Sequence, residues 1–181
     1  MRLLSPFRGL RPVAERAADV VAPPYDVVNT AEARELARNK PWSFLHVSKP
    51  EIDLPEGTDP YDEAVYARGA ENFARMIENG VLSRDENPCY YIYELTMGEH
   101  LQTGIAAAAS IEAYDKNIIR KHEFTRPVKE DDRVRQINAL NAQTGPVFLT
   151  YRKMDDVDAL VEQIKSVDPV YDLSLIHISE P

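Results

Sequence analysis

Residues 121–146 read KHEFTRPVKEDDRVRQINALNAQTGP and hold more reactive and charged side chains than any other stretch of the chain. The proline at position 127 excludes a helix that runs through that point. Beyond it, apolar residues recur at helical spacing over positions 129–142 and predict one helix with a single buried face. That face is expected to consist of Val134, Ile137 and Leu140. Acidic residues at positions 130–132 complement the N-terminal end of its dipole, and Gly145-Pro146 would end it.

Upstream of this stretch, the sequence predicts a capped helix followed by a strand. Asn29 or Thr30 can cap a helix, and Glu32 completes a capping box if Asn29 is the cap. The apolar and aromatic run at positions 42–47 (WSFLHV) then predicts a strand.

A second helix is expected to begin with Asp59 as its cap and Pro60 at its first helical position. Asn79-Gly80 supplies its stop. Apolar residues at helical spacing define its buried stripe, namely Val65, Phe73, Met76 and Ile77.

The remaining elements complete a mixed α+β fold. Positions 89–97 and 101–110 predict an antiparallel hairpin with a turn at Gly98-Glu99. The alanines at 106–109 are compatible with a helix as well, but the hairpin context favours a strand. A short buried strand is expected at 147–151 and a further helix at 154–166. The predicted architecture is therefore a partly antiparallel sheet with flanking helices.

Composition sets limits on function. The 181 residues carry a formal net charge of −9, which opposes non-specific nucleic-acid binding because that depends on clustered Lys and Arg. No run of about 18 apolar residues is present, so a membrane span is not expected. The single cysteine, Cys89, lies among apolar and aromatic residues and is interpreted as a reduced, buried thiol. These features indicate a cytoplasmic protein.

Residues 121–146 also contain the candidate site. His122 and Glu123 are candidates for acid-base catalysis near neutral pH. A second group is able to bind a substrate phosphate through cationic, hydroxyl or backbone donors: Thr125, Lys129, Arg133, Gln143, Thr144 and Gly145. The alternative is that His122 and Glu123 form a satisfied pair and that positions 144–146 merely stop a helix. Asp26 is a further binding candidate, with stabilisation of a turn as its alternative role.

The sequence predicts no metal site of the protein's own. Its histidines follow no ligand spacing, and one cysteine cannot build a structural zinc site. Magnesium is expected only together with a nucleotide, held by Glu123, Asp131 or Asp132.

Several segments together resemble a known family. They are PFRGLRP, APPYDVV, SFLHVSKPEIDLP, the YELTMG and QTG pieces of the hairpin, and KHEFTRPVKEDDR followed by INALNAQTGPVFLTYR. Residues 5–172 are similar to the prokaryotic domain of unknown function 1015 family, which is grouped with the ParB/sulfiredoxin-like superfamily. That superfamily includes partition proteins that bind CTP, sulfiredoxins and a free-serine kinase. The resemblance implies a ParB/sulfiredoxin-like fold and a nucleotide or another small molecule as ligand.

The resemblance also predicts an incomplete domain. Members of the family are about twice as long as this chain and carry a DGHHR-type motif beyond the region present here. Residues 1–172 are therefore interpreted as the N-terminal part of one domain. Residues 173–181 contain SLIHISEP, which resembles the translation of a sequencing-adapter read-through, and are interpreted as foreign.

Two hypotheses follow from the residues and the resemblance. The first is a nucleotide-dependent phosphotransferase or hydrolase that acts on a small molecule, with Glu123 or His122 as base. The second is a non-catalytic module that a nucleotide switches, as in the partition proteins. The sequence leaves open whether the protein is an enzyme and what its oligomeric state is.

Overall fold

The computed structural model describes residues 2–122 and 124–173, which divide into two compact units. The first unit consists of residues 2–10, 84–122, 124 and 146–170. The second consists of residues 11–83, 125–145 and 171–173. Met1, Glu123 and residues 174–181 lie outside the described part, so only Leu173 of the segment interpreted as foreign is described. No described helix has the length and apolar character needed to cross a membrane.

The described elements confirm a mixed α+β architecture. The strands are β1 (Leu4–Ser5), β2 (Leu10–Pro12), β3 (Leu82–Arg84), β4 (Tyr91–Met97), β5 (His100–Ala106) and β6 (Ala108–Ala109). The helices are α1 (Ala17–Val20), α2 (Thr30–Leu36), α3 (Leu45–Ser48), α4 (Glu63–Glu78), α5 (Ile111–Asp115), α6 (Pro127–Leu140) and α7 (Asp155–Lys165). Short 3-10 turns cover Ala14–Arg16 and Pro50–Asp53. The strands form three two-stranded sheets, β1-β6, β2-β3 and β4-β5.

Helix α2 has the capping box that the sequence predicts. The Asn29 side chain accepts a hydrogen bond from the Glu32 backbone amide, and the Glu32 carboxylate accepts one from the Asn29 backbone amide. The buried residues around α2 form an apolar cluster of Ala33, Ala37, Leu45 and Ile52.

The predicted strand at positions 42–47 is wrong, because this segment leads into helix α3. Backbone amides of Ser48 and Lys49 donate to the carbonyls four residues earlier, at Phe44 and Leu45. Leu45 and Val47 are fully buried in the second unit. A short apolar run fits a buried strand and a buried helix equally well by periodicity. Here the segment packs against α4, and local hydrogen bonds satisfy its backbone.

Helix α4 begins three residues later than predicted. Its cap is Asp62, whose side chain accepts from the Ala64 amide, whereas the Asp59 carboxylate accepts from the Tyr61 amide in the preceding turn. The predicted stop is confirmed: Asn79 caps the helix, and Gly80 has φ +67°, a left-handed conformation that glycine adopts without strain. Most of the predicted stripe is buried, but Ile77 is exposed.

Helix α6 is confirmed, with Pro127 at its first turn, but its predicted buried face is wrong. Of the three apolar residues assigned to that face, only Leu140 is buried, whereas Val134 and Ile137 are exposed. The buried residues are instead Asp132 and Gln136 together with Leu140. Helix α6 packs on α4, and both polar side chains find hydrogen-bond partners there or on the neighbouring segment, so polar burial costs little.

Gly69 allows α4 to approach the chain near Pro50. A Cβ atom placed on Gly69 would lie 2.8 Å from Pro50 Cγ and 3.3 Å from the Val47 carbonyl oxygen. Gln136 of α6 donates to the same Val47 carbonyl at 2.8 Å. The absence of a side chain at position 69 therefore permits the packing of α4 and α6 on the segment that follows α3.

The predicted hairpin is confirmed in the first unit. Strands β4 and β5 pair antiparallel from Tyr91 opposite Ala106 to Met97 opposite His100, and Gly98 has φ +61° in the turn. The alanine run also supplies a strand, since β6 pairs antiparallel with β1.

Two further predictions in the first unit need correction. Cys89 is exposed rather than buried, and its backbone forms an isolated antiparallel bridge with Phe7 just before the hairpin. The segment 147–151 forms no strand, and its residues are exposed. Helix α7 is confirmed, and its buried residue is Val161. Burial of Cys89 and of residues 147–151 would require another segment to pack over them, and no described residue of this unit does so.

Candidate functional site

A polar pocket of about 130 Å³ lies in the second unit. Five parts of the chain supply its walls: the turn after the double proline, the first residue of α2, the segment around Pro50, the start of α4 with the turn before it, and residues 129–136 of α6. Its lining includes three cations (Lys49, Lys129 and Arg133), two carboxylates (Glu51 and Asp132) and three tyrosines (Tyr25, Tyr61 and Tyr66).

Lys129 and Arg133 lie one helical turn apart on α6 and both reach the pocket. The Arg133 guanidinium carbon lies 4.3 Å from the centroid of the Tyr25 ring, and Lys129 Nζ lies 5.6 Å from that of Tyr61. Lys129 is exposed. A hydrogen bond with Tyr61 raises its pKa, and slight desolvation opposes the rise. Lys129 is therefore charged at neutral pH, and no carboxylate of the described residues forms an ion pair with it.

Local turns present the two tyrosines. Tyr25 follows Pro23-Pro24, and the Val27 amide donates to the Pro24 carbonyl to close a turn. Tyr61 lies in the turn from Asp59 to Asp62, where the Asp59 carboxylate accepts from the Tyr61 amide at 2.9 Å. The proline-rich turns thus position aromatic faces against the cations of α6.

Asp132 is the buried anchor of the α6 wall. Its Oδ1 accepts from the Tyr66 hydroxyl at 2.9 Å, and its Oδ2 accepts from Arg133 Nη2 at 2.6 Å. Burial, followed by the hydrogen bond to Asp132, raises the pKa of Tyr66 to about 12. Both oxygens of Asp132 are therefore engaged, and Tyr66 stays a neutral donor.

The opposite wall contains a second buried carboxylate. Glu51 Oε1 lies 3.2 Å from Lys49 Nζ and 3.3 Å from the Thr30 hydroxyl. Glu51 belongs to the 3-10 turn that begins at Pro50, so the contact of Pro50 with Gly69 also fixes this wall. The lining as a whole has one more cation than carboxylates, although the chain carries a net charge of −9.

Two of the predicted binding residues, Lys129 and Arg133, come together in this pocket. The others do not line it. Thr125 is exposed, and its hydroxyl donates to Glu130. Gln143 donates to the Gly145 carbonyl in the loop after α6, and Thr144 lies in the same loop.

The remaining predicted residues have other positions. Asp26 is exposed next to Tyr25 and does not line the pocket. His122 is an exposed residue of the first unit. The role predicted for Glu123 falls outside the described residues. The residues that sequence reasoning missed are Tyr25, Tyr61, Tyr66, Lys49 and Glu51. Their only local signals are the prolines that precede several of them.

The described residues contain no group of three or more His, Cys, Asp or Glu side chains that could hold a metal ion. Chemically, the pocket offers cations and hydroxyls to an anion, with aromatic faces beside them.

A family model described as "Protein of unknown function (DUF1015)" matches residues 4–177 of the chain. No curated protein and no solved structure matches it significantly.

Proposed function

Since the chain belongs to the DUF1015 family of proteins of unknown function, we propose its function from the pocket itself: the second unit binds the phosphoryl group of a small-molecule ligand. Lys129 and Arg133 contact the phosphate oxygens, and the tyrosine hydroxyls supply further donors. The observation that carries the proposal is Lys129, a cation at the pocket without a carboxylate partner among the described residues.

The charge distribution supports an anionic ligand. Of the two α6 cations, Arg133 is paired with the Asp132 carboxylate at 2.6 Å. Lys129 has the Tyr61 ring and hydroxyl beside it, and Asp132 and Tyr25 interact with it electrostatically. A phosphate oxygen would supply the missing charge while Arg133 donates from its remaining N–H groups. The expected grouping of the DUF1015 family with the ParB/sulfiredoxin-like superfamily, whose members include nucleotide-binding proteins, is in line with the same class of ligand.

We propose binding at this pocket and assign no base within it. Of its two carboxylates, Asp132 accepts hydrogen bonds at both oxygens, whereas Lys49 and Thr30 contact Glu51 at Oε1. The nucleotide-dependent phosphotransferase or hydrolase remains a prediction that depends on His122 and Glu123. An assay of phosphate release from ATP in the presence of Mg²⁺ separates it from a nucleotide-switched binding module.

Titration calorimetry of the full chain with inorganic phosphate, pyrophosphate and ADP tests the proposal. We expect the Lys129→Gln substitution to weaken the binding of all three by about tenfold or more, since a single charged contact accounts for roughly 1.4 kcal/mol or more. Lys153→Gln is the matched control, because Lys153 is an exposed lysine paired with Asp155 outside the pocket. Equal affinities in the wild type and in Lys129→Gln would refute the proposal, as would the absence of binding.

A further inference from the structure

A second cavity, of about 290 Å³, adjoins the polar pocket of about 130 Å³ within the second unit. The polar pocket is called the phosphate pocket below, after its proposed ligand. Thr30 and Glu51 border both cavities, and their side chains touch, with the hydroxyl oxygen 3.3 Å from Oε1. The rest of the second cavity is formed mainly by the start of α2 and the turn from Pro55 to Thr58. One shared wall therefore lies between the two cavities.

The second cavity has the opposite charge balance. Its carboxylates are Glu51 and Glu56, and its only cation among the described residues is Arg34. The Arg34 guanidinium donates to three backbone carbonyls, those of Glu51, Ile52 and Leu54. These hydrogen bonds hold Arg34 against the backbone and stabilise the wall of the cavity. The polar groups that remain for a ligand are therefore mostly hydrogen-bond acceptors.

Glu51 has acceptor capacity to spare. Lys49 and Thr30 both contact its Oε1, and its Oε2 has no hydrogen-bond partner among the residues that the structure describes. Carboxylates with free oxygens accept hydrogen bonds from vicinal hydroxyls, as acidic residues do from ribose in dinucleotide-binding domains.

The sizes of the cavities agree with a shared ligand. The phosphate pocket alone, at about 130 Å³, lies below the roughly 300–1,000 Å³ typical of small-molecule sites. Together with its neighbour of about 290 Å³ it falls within that range.

We propose that the two cavities form one elongated site for the phosphomonoester of a polyhydroxylated small molecule, in the manner of a sugar phosphate. The phosphoryl group lies between Lys129 and Arg133, and the hydroxyl-bearing part extends past Thr30 to Glu51 and Glu56. This inference rests on the proposed function, because the phosphate contact anchors the ligand.

Calorimetry of the full chain with inorganic phosphate and with ribose 5-phosphate tests the inference. We expect ribose 5-phosphate to bind about tenfold more tightly than phosphate. Glu56→Ala and Glu51→Gln should each reduce that advantage by about threefold or more. Glu56→Ala, whose side chain does not border the phosphate pocket, should also leave phosphate binding unchanged. Glu15→Ala, which removes an exposed carboxylate of the same unit that borders neither cavity, is the control. Glu56 is exposed, so its removal should not affect folding.

The outcomes separate the two proposals. If Lys129→Gln leaves phosphate binding unchanged, the proposed function itself fails. If phosphate binding depends on Lys129 but ribose 5-phosphate binds no more tightly than phosphate, only the elongated site is refuted. The same conclusion follows if the sugar phosphate gains affinity and neither glutamate substitution reduces the gain.

Discussion

The Tyr66 hydroxyl donates a hydrogen bond of 2.9 Å to Asp132 Oδ1 and so joins α4 to α6 in the interior of the second unit. Both residues are buried, at 3% and 6% exposure. Oδ2 of the same carboxylate holds Arg133 toward the pocket. One buried contact thus serves the packing of two helices and the orientation of a candidate ligand-binding cation.

Removing the Tyr66 hydroxyl should destabilise the protein. In Tyr66→Phe, Asp132 Oδ1 loses its donor while it stays buried, and an unsatisfied buried acceptor costs about 1–3 kcal/mol. Urea denaturation of the wild type and the variant measures the difference in the free energy of unfolding. Tyr93→Phe, at an exposed position of β4, is the control and should differ little from the wild type. An unchanged midpoint in Tyr66→Phe would contradict the role of this contact.

The ionisation of Tyr66 should occur at unusually high pH. Its pKa is raised from 10.0 to about 12 in the folded state, so the folded state keeps the proton longer than the unfolded state does. The resulting stability is fully present below pH 10 and is lost as pH rises toward about 12. A pH titration of phenolate absorbance should show one tyrosine ionising near pH 12 in the wild type and no such ionisation in Tyr66→Phe. Loss of an ionisation at the ordinary tyrosine pKa instead would show that the hydrogen bond is absent in solution.

Asp53 should make the protein sensitive to acid. Burial alone would raise its pKa, but hydrogen bonds with His46 (2.8 Å) and Asn72 (2.8 Å) outweigh it and hold the pKa below 3.8. The stability from this carboxylate is present above pH 3.8 and is lost as pH falls through the lower folded pKa.

Asp53→Asn should therefore have a lower free energy of unfolding than the wild type at neutral pH. This difference in stability should become smaller below about pH 4. Denaturation curves at several pH values measure this gap. Asp168→Asn, at an exposed position, should show no such trend. A gap that stays constant down to strongly acidic pH would mean that the charge of Asp53 contributes nothing.

Gly69→Ala should disturb the packing behind the pocket. The added methyl group would meet Pro50 Cγ at 2.8 Å and the Val47 carbonyl at 3.3 Å, and overpacking of this kind costs about 1–3 kcal/mol. Thermal denaturation measures the effect. Gly145→Ala is the control, because a Cβ atom there meets nothing within 4 Å. Equal melting temperatures for the two variants would indicate that Pro50 and Val47 can move away from the added methyl group without loss of stability.

Cys89 should react in the native protein. Its thiol is exposed, and its Sγ lies 3.4 Å from the Asn87 carbonyl oxygen. A thiol reagent should therefore modify it without denaturant, and Cys89→Ser should abolish the reaction. A reaction that requires denaturant would support the buried thiol that the sequence predicts.

Local sequence determines much of the secondary structure. The capping box of Asn29 and Glu32, the turn at Gly98 and the proline that begins α6 all act through atoms a few residues apart. Their geometry depends on backbone propensity and short-range hydrogen bonds, which the sequence shows directly. The same local logic places Lys129 and Arg133 on one helical face, so the sequence alone predicts this pair.

The tertiary structure alone decides which side chains become buried and which meet. Tyr66 reaches Asp132 across 66 positions, and Gln136 reaches Val47 across 89. These partners make a polar face of α6 the buried one, although apolar periodicity favours Val134 and Ile137. Periodicity measures the tendency of one helix to bury a face, whereas burial itself depends on the groups that another segment offers. The pocket has the same origin, since its tyrosines and Glu51 are brought to the cations of α6 by chain folding over long distances.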